Sequence, residues 1–161
     1  MKLLALDQAS RISGYAVFEN SKLITYGKIE LEDEDVGLRL VVLRNKIKEL
    51  ISEYNIDYVA FEDIQMQTSV GSNVKTFKVL ANVFGVILEL LAETNMKYSI
   101  VSSNSWKSTL KIKGRKRQEQ KQNAQKYVEE TYGVKATQDE SDAICIGAHV
   151  CSLEEGFSWA E

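Results

Sequence analysis

The chain has 161 residues, of which 44% are hydrophobic and 27% are charged. This composition is ordinary for a folded globular protein and excludes an intrinsically disordered chain. The length is close to that of one domain, so we expect residues 1–161 to form a single domain. The apolar runs are far shorter than the roughly 20 residues of a membrane span. Lys2 is followed by only four apolar residues, too few for a signal-peptide core. We therefore expect a cytoplasmic protein without a membrane partner.

Charge is distributed unevenly along the chain. The net charge is −3, yet residues 104–126, here called the basic segment, hold eight lysines and arginines and one acid, Glu119. The basic segment thus carries +7, which leaves −10 for the rest of the chain. This distribution is typical of a protein that contacts a polyanion with one face, although a solvated helix with its leading loop is the alternative. The candidate phosphate-binding residues are Lys107, Lys111, Lys113, Arg115, Lys116, Arg117 and Lys121.

Hydrophobic periodicity predicts alternating strands and helices after an initial run of strands. The predicted strands are Lys2–Leu6, Gly14–Glu19, Lys22–Leu31, Asp57–Phe61 and Tyr98–Val101, with a hairpin turn at Asn20 and Ser21. The predicted helices are Val36–Tyr54, Ser72–Thr94, a short one around Trp106, Gln118 to about Tyr132, and Gln138 to about Ser152. This order indicates an α/β fold, a mixed sheet of about five strands flanked by helices.

Two of the predicted strands end in a carboxylate. Leu6 leads into Asp7, and Phe61 leads into Glu62. Ligands of open α/β sheets bind outside the carboxyl ends of the strands. If these strands are neighbours, the two acids emerge side by side, where like charges are unfavourable unless a cation lies between them. For either acid alone, a simple solvent-facing strand end is the alternative.

A further acidic region begins the last predicted helix. Thr137 and Glu140 match a capping box, which gives Glu140 a structural role and removes it from the catalytic candidates. Asp139 and Asp142 lie three residues apart, on one side of the helix at the edge of its apolar stripe. Such carboxylates are costly to bury without a partner, and the same helix offers no nearby lysine or arginine.

The four acids Asp7, Glu62, Asp139 and Asp142 therefore favour a hard divalent cation bound by oxygen ligands. Together with the basic segment they indicate Mg²⁺ and a phosphodiester substrate. Cations about 4 Å apart could activate a water and stabilise the leaving 3′ oxygen. The two cysteines and His149 are too few for a structural zinc site, and we expect both thiols to be reduced.

Three segments in this order resemble the RuvC-type Holliday junction resolvases, a branch of the ribonuclease H-like nucleases. The segments are Leu4–Tyr15 (LALDQASRISGY), Ala60–Asp63 (AFED) and Asp139–Ala143 (DESDA), and the resemblance extends from about Met1 to Cys151. It implies that Asp7, Glu62, Asp139 and Asp142 are the metal-binding catalytic acids. It also implies that Lys107 and Lys121 lie near the scissile phosphate, and we count Lys121 among the catalytic residues.

The resemblance further implies what the protein acts on. Members of the family are homodimers that cut two strands of a four-way DNA junction symmetrically, in DNA recombination and repair, leaving 5′-phosphate ends. We therefore expect a Mg²⁺-dependent endodeoxyribonuclease, with Mn²⁺ as a substitute, whose partners are branched DNA and a second copy of the chain. A helicase partner is neither implied nor excluded.

The chain departs from the family pattern at two places. Ala9 stands where the family usually has glycine, two residues after the first aspartate, and nothing about alanine forbids an extended backbone there. After Glu62, Asp63 and Gln65 replace a glutamine and a phenylalanine that inserts near the junction centre. The small size and the missing phenylalanine favour a version encoded by a bacteriophage. The polar segment Gln65–Ser72 is interpreted as a mobile loop over the cleft or a plain strand–helix connection.

Three other features have competing interpretations. His149 is expected to be a packed or capping histidine, and Trp106 to anchor its short helix, with stacking on a base as the alternative. The helix Ser72–Thr94 is apolar around much of its circumference, so part of its surface could form a dimer contact instead of core.

Functions of other classes remain open at this point. A junction-binding module without catalysis is disfavoured by the four acids, since such a module has no need to crowd carboxylates. A related ribonuclease H-like enzyme acting on structured RNA is not excluded, because phosphate contacts do not identify the polymer. A nucleotide hydrolase of the actin and sugar-kinase fold would need a second lobe that 161 residues cannot supply.

Overall fold

The structure is a computed structural model, which describes residues 1–65 and 74–158 and side chains as far as residue 155. Within these residues five strands form one sheet: β1 (Lys2–Asp7), β2 (Ile12–Glu19), β3 (Lys22–Glu30), β4 (Tyr58–Glu62) and β5 (Lys97–Val101). Their order across the sheet is β3-β2-β1-β4-β5. The β1–β2 and β2–β3 pairs are antiparallel, whereas β1–β4 and β4–β5 are parallel. The predicted mixed sheet is confirmed.

Five helices accompany the sheet in the described part of the chain. They are α1 (Val36–Glu53), α2 (Val74–Glu93), α3 (Ser103–Thr109), α4 (Arg117–Tyr132) and α5 (Gln138–Ser158). Each corresponds to a predicted helix, and α5 continues about six residues beyond its predicted end. The predicted hairpin turn is confirmed as well, because Asn20 and Ser21 both have positive φ, at 49° and 67°, as a tight turn with strand-matching twist requires.

Two hydrophobic cores lie on opposite faces of the sheet. Leu3 and Ala5 of β1 pack with α5 residues such as Ile144 on one face, whereas Leu4 and Leu6 pack with α1 and α2 on the other. This division follows from the two-residue period of a strand. It also fixes the side of any residue that continues the strand, which is how the fold positions the acids described below.

Helix α5 lies directly against the sheet because two glycines permit the approach. A Cβ on Gly14 would come within 2.0 Å of the carbonyl oxygen of Asp139, and a Cβ on Gly147 within 2.1 Å of the Phe18 ring. Since Gly14 pairs with Asp7 in the β1–β2 ladder, the first turn of α5 is brought next to the end of β1. A side chain at Gly14 would push the two apart.

Helix α2 is less deeply buried than its apolar face predicts. Its buried residues are Val83, Ile87, Leu90 and Leu91. Phe84 and Leu88 are partly buried and pack against the same core. Among the described residues, none of the helices is long and apolar enough to cross a membrane. The predicted loop Gln65–Ser72 lies, apart from Gln65, outside the described residues.

Candidate active site

The two strand-end acids project from the same face of the sheet. Asp7 continues the alternation of Leu3 and Ala5, and Glu62 continues that of Ala60, so both point towards the face covered by α5. The parallel register of β1 and β4, which pairs Leu6 with Phe61, brings the two carboxylates to the same edge. The predicted juxtaposition of Asp7 and Glu62 is therefore present.

The N-terminal end of α5 contributes the other two acids, Asp139 in its first turn and Asp142 in its second. The capping box is confirmed, because the Thr137 N–H donates to Glu140 at 2.9 Å and the Glu140 N–H donates to the Thr137 hydroxyl at 3.3 Å. With Glu140 engaged there, Asp139 and Asp142 remain to face the cleft, which both of them line.

Asp142 has a basic partner that its own helix does not supply. The Nζ atom of Lys121, on α4, lies 3.6 Å from Oδ2 of Asp142, and both side chains are largely buried. The sequence predicted no basic partner for this acid, because α5 itself has no lysine or arginine nearby. The contact between α4 and α5 is tertiary, and no local spacing signals it.

Burial and like charge together make this group of acids electrostatically unfavourable. Burial raises the pKa of Asp7 well above its usual value, and the nearby charges of Asp142 and Glu62 raise it further. Burial also raises the pKa of Asp142 to about 6, although the Lys121 ammonium opposes this shift. The pKa of Glu62 is raised by burial and lowered in part by a hydrogen bond from Trp106. A site that holds several such groups is a candidate functional site.

The four acids line one cleft of about 470 Å³, together with Trp106 and the basic residues Lys107, Arg117 and Lys121. Their donor set of carboxylate oxygens fits a hard divalent cation, whose charge would relieve the repulsion among them. In the described parts of the chain, no three acid, histidine or cysteine side chains stand close enough to share one ion.

Trp106 and Gln8 are the site residues that sequence reasoning missed. The indole Nε1 donates to Oε2 of Glu62 at 3.0 Å, so Trp106 has a role beyond anchoring its helix. The side-chain amide of Gln8 hydrogen-bonds both the N–H and the carbonyl oxygen of Glu62. Neither contact has a sequence signal, because each joins elements that are distant in the chain.

The basic candidates divide into two groups. Lys107, Arg117 and Lys121 line the cleft with the acids. Lys111, Lys113, Arg115 and Lys116 are exposed and lie on or beside the loop between α3 and α4, outside the cleft lining.

That loop is held to α4 by side-chain hydrogen bonds. Gln120 donates to the carbonyl oxygen of Gly114 at 3.0 Å, Asn123 donates to that of Lys113, and Glu119 accepts from the Arg115 N–H at 3.1 Å. The basic side chains therefore project from a backbone that is tied down.

Two smaller expectations can be compared with the structure. The turn after Asp7 forms with Ala9 outside the left-handed region of φ, and the Ser13 hydroxyl accepts from the Ala9 N–H at 2.9 Å. His149 is buried and its Nδ1 lies 2.9 Å from the Thr109 hydroxyl oxygen, as expected of a packed histidine. Both cysteines are free and buried.

The five-stranded mixed sheet, with acids at the ends of adjacent parallel strands and two more on a closely packed helix, matches the ribonuclease H-like fold expected from the sequence. The model of the family described as "Crossover junction endodeoxyribonuclease RuvC" matches residues 3–150. The chain belongs to this family.

Individual relatives agree with this assignment. A crossover junction endodeoxyribonuclease RuvC of Ruegeria pomeroyi is 32% identical over 124 residues, which cover 74% of this chain and 73% of the relative. The fold is similar to that of Thermus thermophilus RuvC in complex with a Holliday junction substrate, with a TM-score of 0.78, 15% identity and coverage of 97% and 96% of the two chains. The yeast mitochondrial Holliday junction resolvase Ydc2 has a TM-score of 0.62 at 14% identity, with 95% of this chain and 78% of that chain covered.

Proposed function

We propose that residues 1–161 form one nuclease domain that resolves four-way DNA junctions, and other branched DNA, by cutting phosphodiesters in paired, symmetric nicks. The observation that carries this proposal is the convergence of Asp7, Glu62, Asp139 and Asp142 with Lys121 in one cleft, in a chain of the RuvC family. A binding module without catalysis would gain nothing from acids whose pKa values are raised by burial and mutual repulsion.

The four acids would hold divalent cations, Mg²⁺ with Mn²⁺ as a substitute. When bound, these cations supply the Lewis acidity that activates a water and stabilises the leaving oxygen. Asp7 and Glu62 offer ligands from the rigid ends of β1 and β4, and Asp139 and Asp142 offer them from the first two turns of α5. Anchoring on regular elements favours a reproducible ligand geometry, because loops hold such groups less accurately.

Lys121 would bind and orient the scissile phosphate. Its ammonium group is held in the cleft by Asp142 at 3.6 Å, so its charge is already directed at the place where negative charge grows during hydrolysis. Lys107, on α3, would assist, since its Nζ donates to the side-chain oxygen of Gln120, next to Lys121 on α4, at 3.1 Å.

The exposed residues of the basic segment would bind the DNA backbone away from the cut. Lys111, Lys113, Arg115 and Lys116 project from the loop tied to α4, so this part of the surface approaches phosphates with little ordering cost. Such contacts position the duplex and carry no sequence information directly.

Paired, symmetric cuts require two active sites, which we propose are supplied by a homodimer. Support comes from α2, where Val74 is 56% exposed, and from α1, where Leu38 and Val41 are each 53% exposed. A second copy that covers these side chains would remove apolar surface from water.

The first test is cleavage of an end-labelled four-way junction beside a linear duplex of the same sequence and an RNA version of the junction, all in Mg²⁺. We expect paired nicks in the DNA junction alone, and a loss on the order of 10³-fold for Asp7→Asn, because charge at the reacting centre is worth that much. Glu49→Gln, an exposed acid on α1, is the matched control and should cut like the wild type. Binding without nicks, or full activity of Asp7→Asn, contradicts the proposal.

A further inference from the structure

We infer that Gln8 and Trp106 are positioning residues that fix Glu62 for cation binding. This inference rests on the proposed function. Gln8 sets the backbone position of this acid, and Trp106 sets the orientation of its carboxylate. Neither side chain is a ligand in this inference, because each acts through Glu62.

Gln8 replaces backbone pairing at the point where the β1–β4 ladder stops. The last paired residues of that ladder are Leu6 and Phe61, so the backbone of β1 makes no ladder pair with Glu62. The Gln8 amide supplies the equivalent bonds, since its Nε2 donates to the Glu62 carbonyl oxygen and its Oε1 accepts from the Glu62 N–H at 3.1 Å. The Gln8 side chain therefore keeps the backbones of Asp7 and Glu62 side by side at the ends of β1 and β4.

The other side of Glu62 is held by β5. Glu62 pairs with Val101 in the β4–β5 ladder, and the Asp63 N–H donates to the Val101 carbonyl oxygen at 2.9 Å. The Glu62 backbone is thus fixed from both flanks, by a strand on one side and by the side chain of Gln8 on the other.

Trp106 fixes the carboxylate itself. Trp106 is only 2% exposed, and its Nε1 lies 3.0 Å from Oε2 of Glu62. Because the ring is enclosed by packing, the donor cannot swing away, and Oε2 is held in place. The other oxygen, Oε1, which this hydrogen bond does not engage, would be the one available to a cation in the cleft.

Partners that orient a ligand in this way are worth about 10- to 100-fold in metal affinity. Trp106→Phe keeps a buried aromatic ring and removes the donor. Gln8→Met keeps the length of the side chain and removes both hydrogen bonds. Each substitution should weaken Mn²⁺ binding to the DNA-free protein by about tenfold in isothermal titration. The Mg²⁺ concentration for half-maximal cleavage should rise by a similar factor, while the KM for the junction stays within about twofold.

A matched control separates this role from general loss of a hydrogen bond. Gln125 also donates a side-chain amide bond to a backbone carbonyl, that of Ala136 at 3.1 Å, and it does not line the cleft. Gln125→Met should leave Mn²⁺ affinity unchanged. In a Glu62→Gln background, Gln8→Met and Trp106→Phe should cause no additional loss of affinity, since both act through the Glu62 carboxylate.

The outcomes distinguish the inference from the proposed function. The inference is overturned if both variants bind Mn²⁺ with wild-type affinity, or if the substitutions cause an equal additional loss in the Glu62→Gln background. In either case, cleavage of the junction by the wild type leaves the proposed function standing. A wild-type protein that neither binds Mn²⁺ nor cuts the junction overturns both. If Trp106→Phe does not fold, the result for Gln8→Met decides.

Discussion

The acids of the cleft and the exposed bases of the adjoining loop carry opposite charge, and the fold holds them in opposite ways. Asp7 and Asp142 are largely buried on a central strand and on α5, and burial raises the pKa of each. Lys113 and Arg115 are exposed on a loop that side chains of α4 tie down. The acids proposed to act in catalysis thus lie where water is largely excluded, and their charges lower the free energy of unfolding. The bases proposed to bind phosphate stay solvated, so their charges have little effect on stability.

Lys121 tests this comparison most strongly, because among the bases that line the cleft it forms the ion pair with Asp142. Lys121→Met keeps the length of the side chain and removes the ammonium, so the group that would stabilise charge on the phosphate is lost. We expect kcat for junction cleavage to fall by about 10²-fold, with a smaller change in KM, in single-turnover assays at saturating Mg²⁺.

Lys126→Met is the matched control, since Lys126 lies on the same helix, is exposed, and pairs with Glu130 at 3.9 Å. Its kcat should stay within about threefold of the wild type. Equal losses in the two variants would mean that Lys121 acts only through the net charge of α4.

The cost of the buried acids predicts how stability depends on pH. With its pKa raised to about 6, Asp142 holds a proton in the folded protein between about pH 4 and 6, where the unfolded chain has lost it. The free energy of unfolding therefore falls as pH rises through this window, by about 2–3 kcal/mol from Asp142. Denaturant unfolding in EDTA at pH 4.5 and pH 7.5 measures the difference.

Asp142→Asn removes the charge and should flatten that dependence, making the cation-free protein more stable than the wild type at pH 7.5. In the wild type, added Mg²⁺ should restore stability at pH 7.5, and cleavage should decline as pH falls through about 6. A wild type that gains stability between pH 4.5 and 7.5 in EDTA would show that Asp142 is not held in an unfavourable charged state.

The same two regions differ in how far the sequence could predict them. Strand alternation and the strand order predict that Asp7 and Glu62 point to the same face of the sheet. The capping box that engages Glu140 predicts that Asp142, and not Glu140, belongs to the acidic site. These are local rules. The contact of Lys121 with Asp142 could not be predicted, because it depends on how α4 packs against α5.

Contacts made by side chains across elements were also missed. The bonds of Gln8 and Trp106 to Glu62 join β1 and α3 to β4, and the sequence spacing of these residues carries no periodic signal. The requirement for glycine at Gly14 becomes visible only when the Asp139 carbonyl is found against it. The fold was therefore predictable from patterns, and the supporting contacts of the site were not.

The exposed bases should give the smallest effect, and one that depends on salt. Lys113→Ala combined with Arg115→Ala removes two phosphate contacts, which should weaken junction binding by about tenfold and reduce the salt-dependence slope by about 2. Binding measured in EDTA at several salt concentrations gives both values. Lys46→Ala with Lys48→Ala, on α1 at the opposite face of the sheet, removes the same charge and should leave the slope unchanged. Because the affected groups lie outside the cleft, kcat at saturating junction should be that of the wild type, and a large fall in kcat would mean that the loop also shapes the site where the acids act.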